Sequence, residues 1–595
     1  MSHTFHIPVL GLAYSVDTPL KVARYGISSV VSIVDDILIE RMRQLYTQKN
    51  KETFVPIDPK ETDFRSKRIT SYLNLVKQIV DKQFETLRQE AFEEGTDITR
   101  YFNLLPDTSP LKTKYQQMLA EQDGDKRIAL QNELRNEMGK GEIQVNIMAK
   151  VDRMNPNTTS EQISDALSAL KGFAESELNS PVVLSAGMNP RLYSYLENFQ
   201  DFLPDQFSRF KKSVILKVSD FRSALIQAKF LAKKGLWVSE FRIESGLNCG
   251  GHAFATEGYI LGPILEEFKD KKQEMIDELY QIYNRALEEK GIQLSSIPQL
   301  KISVQGGIGT ADENSFLMNH YQLDATGWGS PFLLVPEATN VDEETLELLS
   351  TASHDDFYIS GSSPLGIPFN NFRKSSAEKQ RLERIAKGRP GSPCVKKFLS
   401  SNTEFTEQPI CTASREYQNL KIRQLEAEGL QPEDFQAKFE AITEKLCLCE
   451  GLAAPAYLKN NILKSKESRA TVICPGPNIA YFSGKFSLDE MVSHIYGKLN
   501  LLNDPERPNL FVNELNLYVD YLKKDISRQL QEMNDKKAKY FSKFKEQLEN
   551  GITYYKQLIP KITNQTEVYR KKMLNELLEI EEKLQHLNLI AEQRT

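Results

Sequence analysis

The residues with the clearest potential for chemistry are a glycine pair and a histidine, within the stretch RIESGLNCGGHAF at positions 242–254. Gly250 and Gly251 have no β-carbon, so a flat ligand can approach their backbone closely. An imidazole ordinarily titrates near neutral pH, which makes His252 a candidate general base. An ordinary glycine turn with a structural histidine is the alternative, and the surrounding elements decide between the two.

Those elements alternate between short apolar runs and helical patterns. Eight runs are predicted as strands, at residues 7–14, 29–34, 142–148, 181–186, 214–218, 237–243, 300–305 and 323–326. Eight such units predict an α/β fold, a (β/α)8 TIM barrel, with an open doubly wound sheet as the second choice. In a barrel, the residues after each strand meet on one face, where active sites lie.

Several of these predicted strand ends carry residues suited to ligand contact. Asn146 closes the third strand and Lys217 the fifth. Glycines follow the last two strands, where a barrel binds phosphate through backbone N–H groups. The positions predicted for this contact are Gly306, Gly307, Gly329 and Ser330.

The motifs IPVLGLAY, EIQVNIM, VILKV, NCGGHAF, VQGGIG and GWGSPFLL, in this order, resemble those of the nitronate monooxygenase family of FMN-binding TIM barrels. The resemblance spans residues 7–46 and 142–373. Cys249 stands where that family has alanine, and Ser330 where it has threonine.

The resemblance implies a role for each matched position. Asn146 and Lys217 would contact the flavin, Gly250 and Gly251 would let its ring lie close, and His252 would be the catalytic base. Gly306, Gly307, Gly329 and Ser330 would hold the phosphate of FMN.

The implied activity is an FMN-dependent oxidation of a small carbon acid or nitronate, with oxygen as the acceptor. Two alternatives stay open: a flavin-dependent enoyl-thioester reductase that uses NAD(P)H, and a non-catalytic barrel scaffold. Lys217 is either a cation beside the flavin or a solvated surface lysine. Cys249 is a redox thiol or, more often for a buried cysteine, a small apolar filler.

The remaining sequence predicts additions to the barrel. Residues 1–46 and 141–375 are assigned to the barrel, 47–140 to a helical insertion between strands 2 and 3, and 376–505 to an α-rich appendage. Residues 506–595 are predicted to form a hairpin of two amphipathic helices with leucine stripes, which serve as core or as a surface for a homo-oligomer.

Composition limits the partners and the location. The 595 residues include 75 Lys and Arg against 81 Asp and Glu, a net charge of -6, which gives no electrostatic footprint for nucleic acid. We expect a cytoplasmic protein without membrane contact. The six cysteines favour reduced thiols over disulfides, and the C-x-C spacing of Cys447 and Cys449 does not favour a metal site.

Overall fold

Eight parallel strands close into a barrel in chain order, which confirms the predicted (β/α)8 fold. The computed structural model describes residues 2–147, 152, 164–250, 258–529 and 534–592. The strands are β1 Phe5–Ile7, β2 Ser28–Ser32, β3 Ile143–Ile147, β4 Pro181–Leu184, β5 Ser213–Val218, β6 Val238–Glu244, β7 Lys301–Gln305 and β8 Ala325–Gly327.

The first strand is shorter than predicted and lies earlier in the chain. His6 pairs with Ser28 of β2 and with Gly327 of β8, which closes the barrel. The prediction of a strand over residues 7–14 was wrong. Pro8 lacks an N–H donor, and the backbone at Gly11 has a φ of 137°, so the apolar residues there form a loop over the mouth.

The first thirteen helices surround the barrel or belong to the segment between β2 and β3. They are α1 Thr18–Val22, α2 Asp36–Lys49, α3 Phe64–Gln89, α4 Asp97–Leu104, α5 Pro110–Ala120, α6 Gly124–Glu137, α7 Asp165–Ala174, α8 Pro190–Tyr195, α9 Phe221–Ala232, α10 Leu261–Asp270, α11 Lys272–Glu288, α12 Ala311–His320 and α13 Glu343–Ser350.

The segment between β2 and β3 is attached to the barrel through α3. That helix packs against α2 and α7. Arg65 and Arg68 of α3 both form ion pairs with the buried Asp36 of α2, at 2.7 and 2.8 Å. The hydroxyl of Ser66 donates to the carbonyl of Ser168 in α7. This helical segment therefore shares buried polar contacts with the barrel wall.

The chain beyond the barrel adds a two-stranded antiparallel sheet and nine helices to the described part of the molecule. Their bounds are β9 Phe357–Ser360, β10 Phe369–Phe372, α14 Ser376–Ala386, α15 Arg415–Ala427, α16 Pro432–Thr443, α17 Leu448–Gly451, α18 Ala454–Lys459, α19 Leu488–Ile495, α20 Leu510–Gln529, α21 Asp535–Leu558 and α22 Glu567–Glu592.

The C-terminal region contains three helices, α20 to α22, where the sequence predicts two. The two predicted stripes left out α21, whose start is capped by Asn534: its side chain accepts a hydrogen bond from the backbone N–H of Lys537. Leu515, Leu522 and Leu584 are buried within the chain. Across the described residues, no helix is both long enough and apolar enough to cross a bilayer.

Candidate active site at the barrel mouth

Strand β6 shows how the barrel separates its inner and outer faces. Phe241 faces outward, with its ring centroid 5.8 Å from that of Phe268 in α10. Glu240, Arg242 and Glu244 alternate with the outward residues and face the interior, as the twofold repeat of a strand requires. The barrel interior at this strand is therefore charged.

The deeper pair of this series is fully buried and neutralised. Arg242 is 1% exposed, and its guanidinium donates to Glu240 at 2.8 and 2.9 Å. The same carboxylate oxygen accepts from the hydroxyl of Ser303 on β7, and Arg242 also donates to the amide oxygen of Gln144 on β3. This network links three strands and forms the floor below the mouth.

Glu244, at the end of β6, collects three donors on one carboxylate oxygen. The Lys217 ammonium lies 3.1 Å from that oxygen, the side-chain amide of Asn248 2.6 Å, and that of Gln305 2.9 Å. Lys217 and Glu244 are only 15% and 17% exposed, so the ion pair is weakly screened. Lys217 is thus held in place at the mouth and is not a solvated surface lysine.

Asn146, at the end of β3, has a buried amide oxygen without a hydrogen-bond partner among the described residues. The side chain is 7% exposed and lines the same cavity as Lys217. Buried polar atoms are nearly always paired, so an oxygen with no described partner, on a side chain that lines a cavity, leaves room for a donor from a ligand.

The cavity above this floor occupies about 1440 Å³, including its open mouth. Its polar side includes Ser32, Asn146, Lys217, Glu244 and Asn248. The chain beyond the barrel contributes a mainly apolar part of the lining. The apolar residues there are Leu365, Phe369, Phe398, Leu399, Leu448 and Leu452. A half-polar, half-apolar cavity of this kind suits a small organic ligand.

Of the residues predicted to form the site, Asn146, Lys217 and Gly250 line this cavity. Gly251 and His252 lie outside the described residues. Gly250 has a φ of 94°, and a β-carbon there would lie 2.3 Å from the carbonyl oxygen of Val9. Glycine is therefore required at position 250 by the approach of the loop after β1, whether or not a ligand is bound.

Gly306, Gly307, Gly329 and Ser330 are not part of the cavity lining, and other parts of the chain fill the space beside them. The guanidinium of Arg507 donates to the carbonyl of Gly307 at 2.7 Å and to Glu313 at 2.7 Å. The N–H of Gly309 donates to the other oxygen of Glu313 at 2.8 Å. A protein cation therefore lies beside the carbonyl of Gly307.

The end of β8 is also occupied by a later segment. The hydroxyl of Ser330 accepts a hydrogen bond from the N–H of Gly476 at 2.9 Å. A β-carbon on Gly329 would lie 2.9 Å from that of Cys249, so this glycine fits against the protein itself. The phosphate-binding role of the four residues remains a prediction.

Cys249 is buried and lies at the edge of the cavity. Burial raises the pKa of its thiol to about 11, so the group stays protonated near neutral pH. Its sulfur lies 3.8 Å from the carbonyl oxygen of Cys474. These properties favour a small filler over a reactive thiol.

Sequence reasoning missed Glu244, Asn248 and Arg65 as cavity residues. Glu244 could have been predicted, because charged residues at every second position of an otherwise apolar strand indicate that these residues face a polar barrel interior. Arg65 lines the cavity from α3 while paired with Asp36, and nothing in the order of the chain indicates that contact. In the described residues, no group of three or more His, Cys, Asp or Glu side chains is arranged to hold a metal ion.

No protein-family profile matches the chain. No curated protein sequence matches it either. One similar solved structure is the enoyl reductase domain of MlnA from the macrolactin biosynthesis cluster of Bacillus amyloliquefaciens, with 13% identity over 66% of this chain and 86% of that one, at a TM-score of 0.33.

Two further solved structures are similar at the same low level. FabK from Thermotoga maritima has 16% identity, covers 54% of this chain and 82% of its own, and has a TM-score of 0.25. A nitroalkane oxidase from Streptomyces ansochromogenes has 9% identity, covers 64% and 86%, and has a TM-score of 0.28. Likeness of this degree carries no conclusion about the chemistry of this protein.

Proposed function

We propose that the protein is a flavin-dependent oxidoreductase that binds the isoalloxazine ring in the cavity at the barrel mouth. The observation that carries the proposal is the placement of a fixed cation, Lys217, in one cavity with Asn146, whose amide oxygen has no partner among the described residues. The sequence motifs that resemble the nitronate monooxygenases lie on the same strands. A bound flavin supplies two-electron redox chemistry that no side chain provides.

The two polar residues suit the ring in different ways. Lys217 would stabilise negative charge on the reduced ring, because its ammonium is held in a partly desolvated position. The oxygen of Asn146 would accept a ring N–H. Gln305 and Asn248 act indirectly, since both hold the carboxylate that orients Lys217.

FMN is the flavin that the sequence resemblance favours, with its phosphate at Gly306, Gly307, Gly329 and Ser330. Arg507 and Gly476 already contact Gly307 and Ser330 in that region. Comparison of FMN with riboflavin tests the point. Binding of FMN at least about tenfold tighter, or ~1.4 kcal/mol, supports phosphate contact. Equal binding of the two contradicts it.

His252 is proposed as the base that removes the α-proton of a small carbon acid or nitronate, with oxygen as the final acceptor. Gly251 is proposed beside it, against the ring. An imidazole is suited to this step near neutral pH. Replacement of His252 by Asn should leave flavin binding intact and lower turnover by about 100-fold or more.

The apolar cavity wall favours a second candidate, the reduction of an enoyl thioester by NAD(P)H. Phe369, Phe398 and Leu399 could accommodate a hydrocarbon chain, which a small nitronate lacks. Anaerobic mixing separates the two reactions. Bleaching of the flavin by NADH or NADPH supports the enoyl-thioester reductase, and bleaching by a nitronate supports the oxidation of a nitronate.

The proposal is tested by the visible spectrum of the purified full-length protein and by titration with FMN and riboflavin. We expect flavin absorption or uptake, and about tenfold weaker binding in Lys217→Met. Lys126→Met is the matched control, because Lys126 is 71% exposed and distant in sequence from every cavity residue. A colourless protein that takes up neither flavin would refute the proposal and leave the scaffold alternative.

A further inference from the structure

Four of the six cysteines lie in one small region beyond the barrel, separate from the polar side of the cavity. Cys394 and Cys411 interact through their thiols, and the charge of Cys394 contributes to the raised pKa of both Cys447 and Cys449. All six cysteines are free thiols. Cys449 also lines the barrel cavity, and the proposed flavin chemistry gives none of the four a role.

The backbone fixes Cys394 and Cys411 next to each other from both sides. Before Cys394, Ser392 exchanges backbone hydrogen bonds with Ala413 and Arg415, at 2.9 and 2.8 Å. After it, Asn402 exchanges a reciprocal pair with Ile410, at 3.0 and 2.8 Å. Four backbone hydrogen bonds thus join the chain on either side of the two cysteines, and both thiols belong to the same apolar cluster.

The two thiols differ in exposure: an attacking thiol must be accessible to its disulfide substrate, whereas a resolving thiol can be buried beside it. Cys394 is half-buried and reachable from solvent, whereas Cys411 is 5% exposed and packs in an apolar cluster with Cys449 and Cys474. The backbone at Cys394 has a φ of 56°, a conformation that residues other than glycine seldom adopt. The Ser400 hydroxyl lies 3.9 Å from the Cys394 sulfur.

We propose that Cys394 and Cys411 form an oxidisable dithiol site that exchanges with small or protein disulfides, with Cys394 as the attacking thiol and Cys411 as the resolving thiol. The Cys394 thiolate attacks a disulfide RSSR, forms a mixed disulfide and releases one RS⁻. Cys411 loses its proton to solvent and attacks the Cys394 sulfur. The second RS⁻ leaves, and an intrachain disulfide forms. Two protein thiols are oxidised, and RSSR is reduced to two thiols.

The electrostatics of the pair agree with these roles. A hydrogen bond from the Cys411 thiol, helped by Ser400 and the backbone N–H and charge of Lys397, lowers the pKa of Cys394. Donation to Cys394 and burial raise the pKa of Cys411. Cys394 is therefore the more readily ionised thiol of the pair, which favours it as the attacking thiol.

The dithiol lies beside the wall of the barrel cavity. Phe398 and Leu399, a few residues after Cys394, line that cavity. Between them and Cys394, the Lys396 ammonium pairs with the buried carboxylate of Asp35, which follows β2, at 2.5 Å. A change in the dithiol would thus act on a segment that already contacts both the barrel and its cavity.

The test starts with the unmodified full chain, treated with oxidised glutathione, digested without reduction and analysed by mass spectrometry. We expect a disulfide between Cys394 and Cys411, reversed by a dithiol reductant. In reduced protein, alkylation of Cys394 should have a midpoint below the value of about 8.5 for an unperturbed thiol, and alkylation of Cys411 a midpoint above it. Absence of the linkage, with both thiols alkylated independently, would overturn the proposal.

Three variants sharpen the result. Cys411→Ser should trap glutathione on Cys394, and Cys394→Ser should abolish rapid reaction with oxidised glutathione. Cys447→Ser is the matched control from the same cluster and should keep the linkage. Elemental analysis of the purified chain closes the test: zinc or iron bound at about one atom per chain, and released when the thiols are blocked, would replace the dithiol with a metal site.

Discussion

The carboxylate of Glu514, on the C-terminal helix α20, accepts a 2.7 Å hydrogen bond from the hydroxyl of Ser245, at the end of barrel strand β6. The same oxygen accepts from the N–H of Gly246, and the other oxygen accepts from the N–H of Leu261 at 2.7 Å. One buried side chain therefore holds both ends of the segment that carries the Gly-Gly-His motif.

Replacement of Glu514 by Gln should destabilise the protein. Glutamine keeps one acceptor oxygen and places an NH2 group against at least one of these donors, so a buried N–H or O–H loses its partner. We expect the free energy of unfolding to fall by about 1–3 kcal/mol. Urea unfolding measures it, and hydrogen exchange at residues 245–250 should become faster. Glu289→Gln, at a side chain 73% exposed, should change stability by less than about 0.5 kcal/mol.

Gly250 should not tolerate alanine. The β-carbon would lie 2.3 Å from the carbonyl oxygen of Val9 while the backbone φ is 94°, so clash and strain act together. We expect a loss of more than about 2 kcal/mol in unfolding free energy. Gly187→Ala is the matched control, since nothing lies within 4 Å of its added carbon and its φ is ordinary. Equal melting temperatures for the two variants would contradict this account.

The parts of the site that follow from local pattern could be predicted from the sequence. Asn146 and Lys217 each lie one residue before the end of an apolar strand, and parallel strands bring such ends together at one rim, where the structure places both. The same reasoning gave the wrong position for the first strand. Its apolar residues 7–14 satisfied the pattern, yet Pro8 and Gly11 turn them into a loop.

The contacts that fill the rim of the barrel at β7 and β8 could not be predicted, because they join residues that are far apart in the sequence. Arg507 reaches Gly307 from 200 residues later, and Gly476 reaches Ser330 from 146 residues later. No periodicity or motif encodes such a meeting. The glycines at these strand ends are equally compatible with a bound phosphate and with close packing of the chain. Only the three-dimensional structure shows which parts of the chain pack against them.

Arg507 should be strongly coupled to Glu313. Their side chains are 3% and 2% exposed and lie 2.7 Å apart, so removal of one leaves a buried charge without its partner. We expect Arg507→Met to cost about 3–5 kcal/mol in unfolding free energy. The double variant Arg507→Met with Glu313→Gln should recover part of that loss, which a double-mutant cycle measures. Additive effects in the cycle would show that the pair is not coupled.

The protein should lose stability in mild acid through His3. The ring is buried, with Nδ1 2.9 Å from the Tyr496 hydroxyl and Nε2 3.1 Å from the carbonyl of Tyr25. Burial lowers the pKa of His3 to about 4. Between pH 6.5 and 4 the unfolded chain therefore binds a proton that the folded chain does not. Stability is full above pH 6.5, and acidification through this window should remove about 3 kcal/mol for this residue.

Urea unfolding at pH 7, 6 and 5 measures this loss, and His3→Gln isolates its source. The variant should be less stable at pH 7, because it disturbs two buried hydrogen bonds. Its stability should fall less steeply with acidification, because the unfolded chain then takes up as much as one proton fewer than in the unsubstituted protein. His586→Gln is the control, since that side chain is 67% exposed and should leave the slope unchanged. His6, whose pKa burial also lowers well below its usual value, should retain part of the slope in both variants. A slope that His3→Gln does not change would assign the acid sensitivity to other groups.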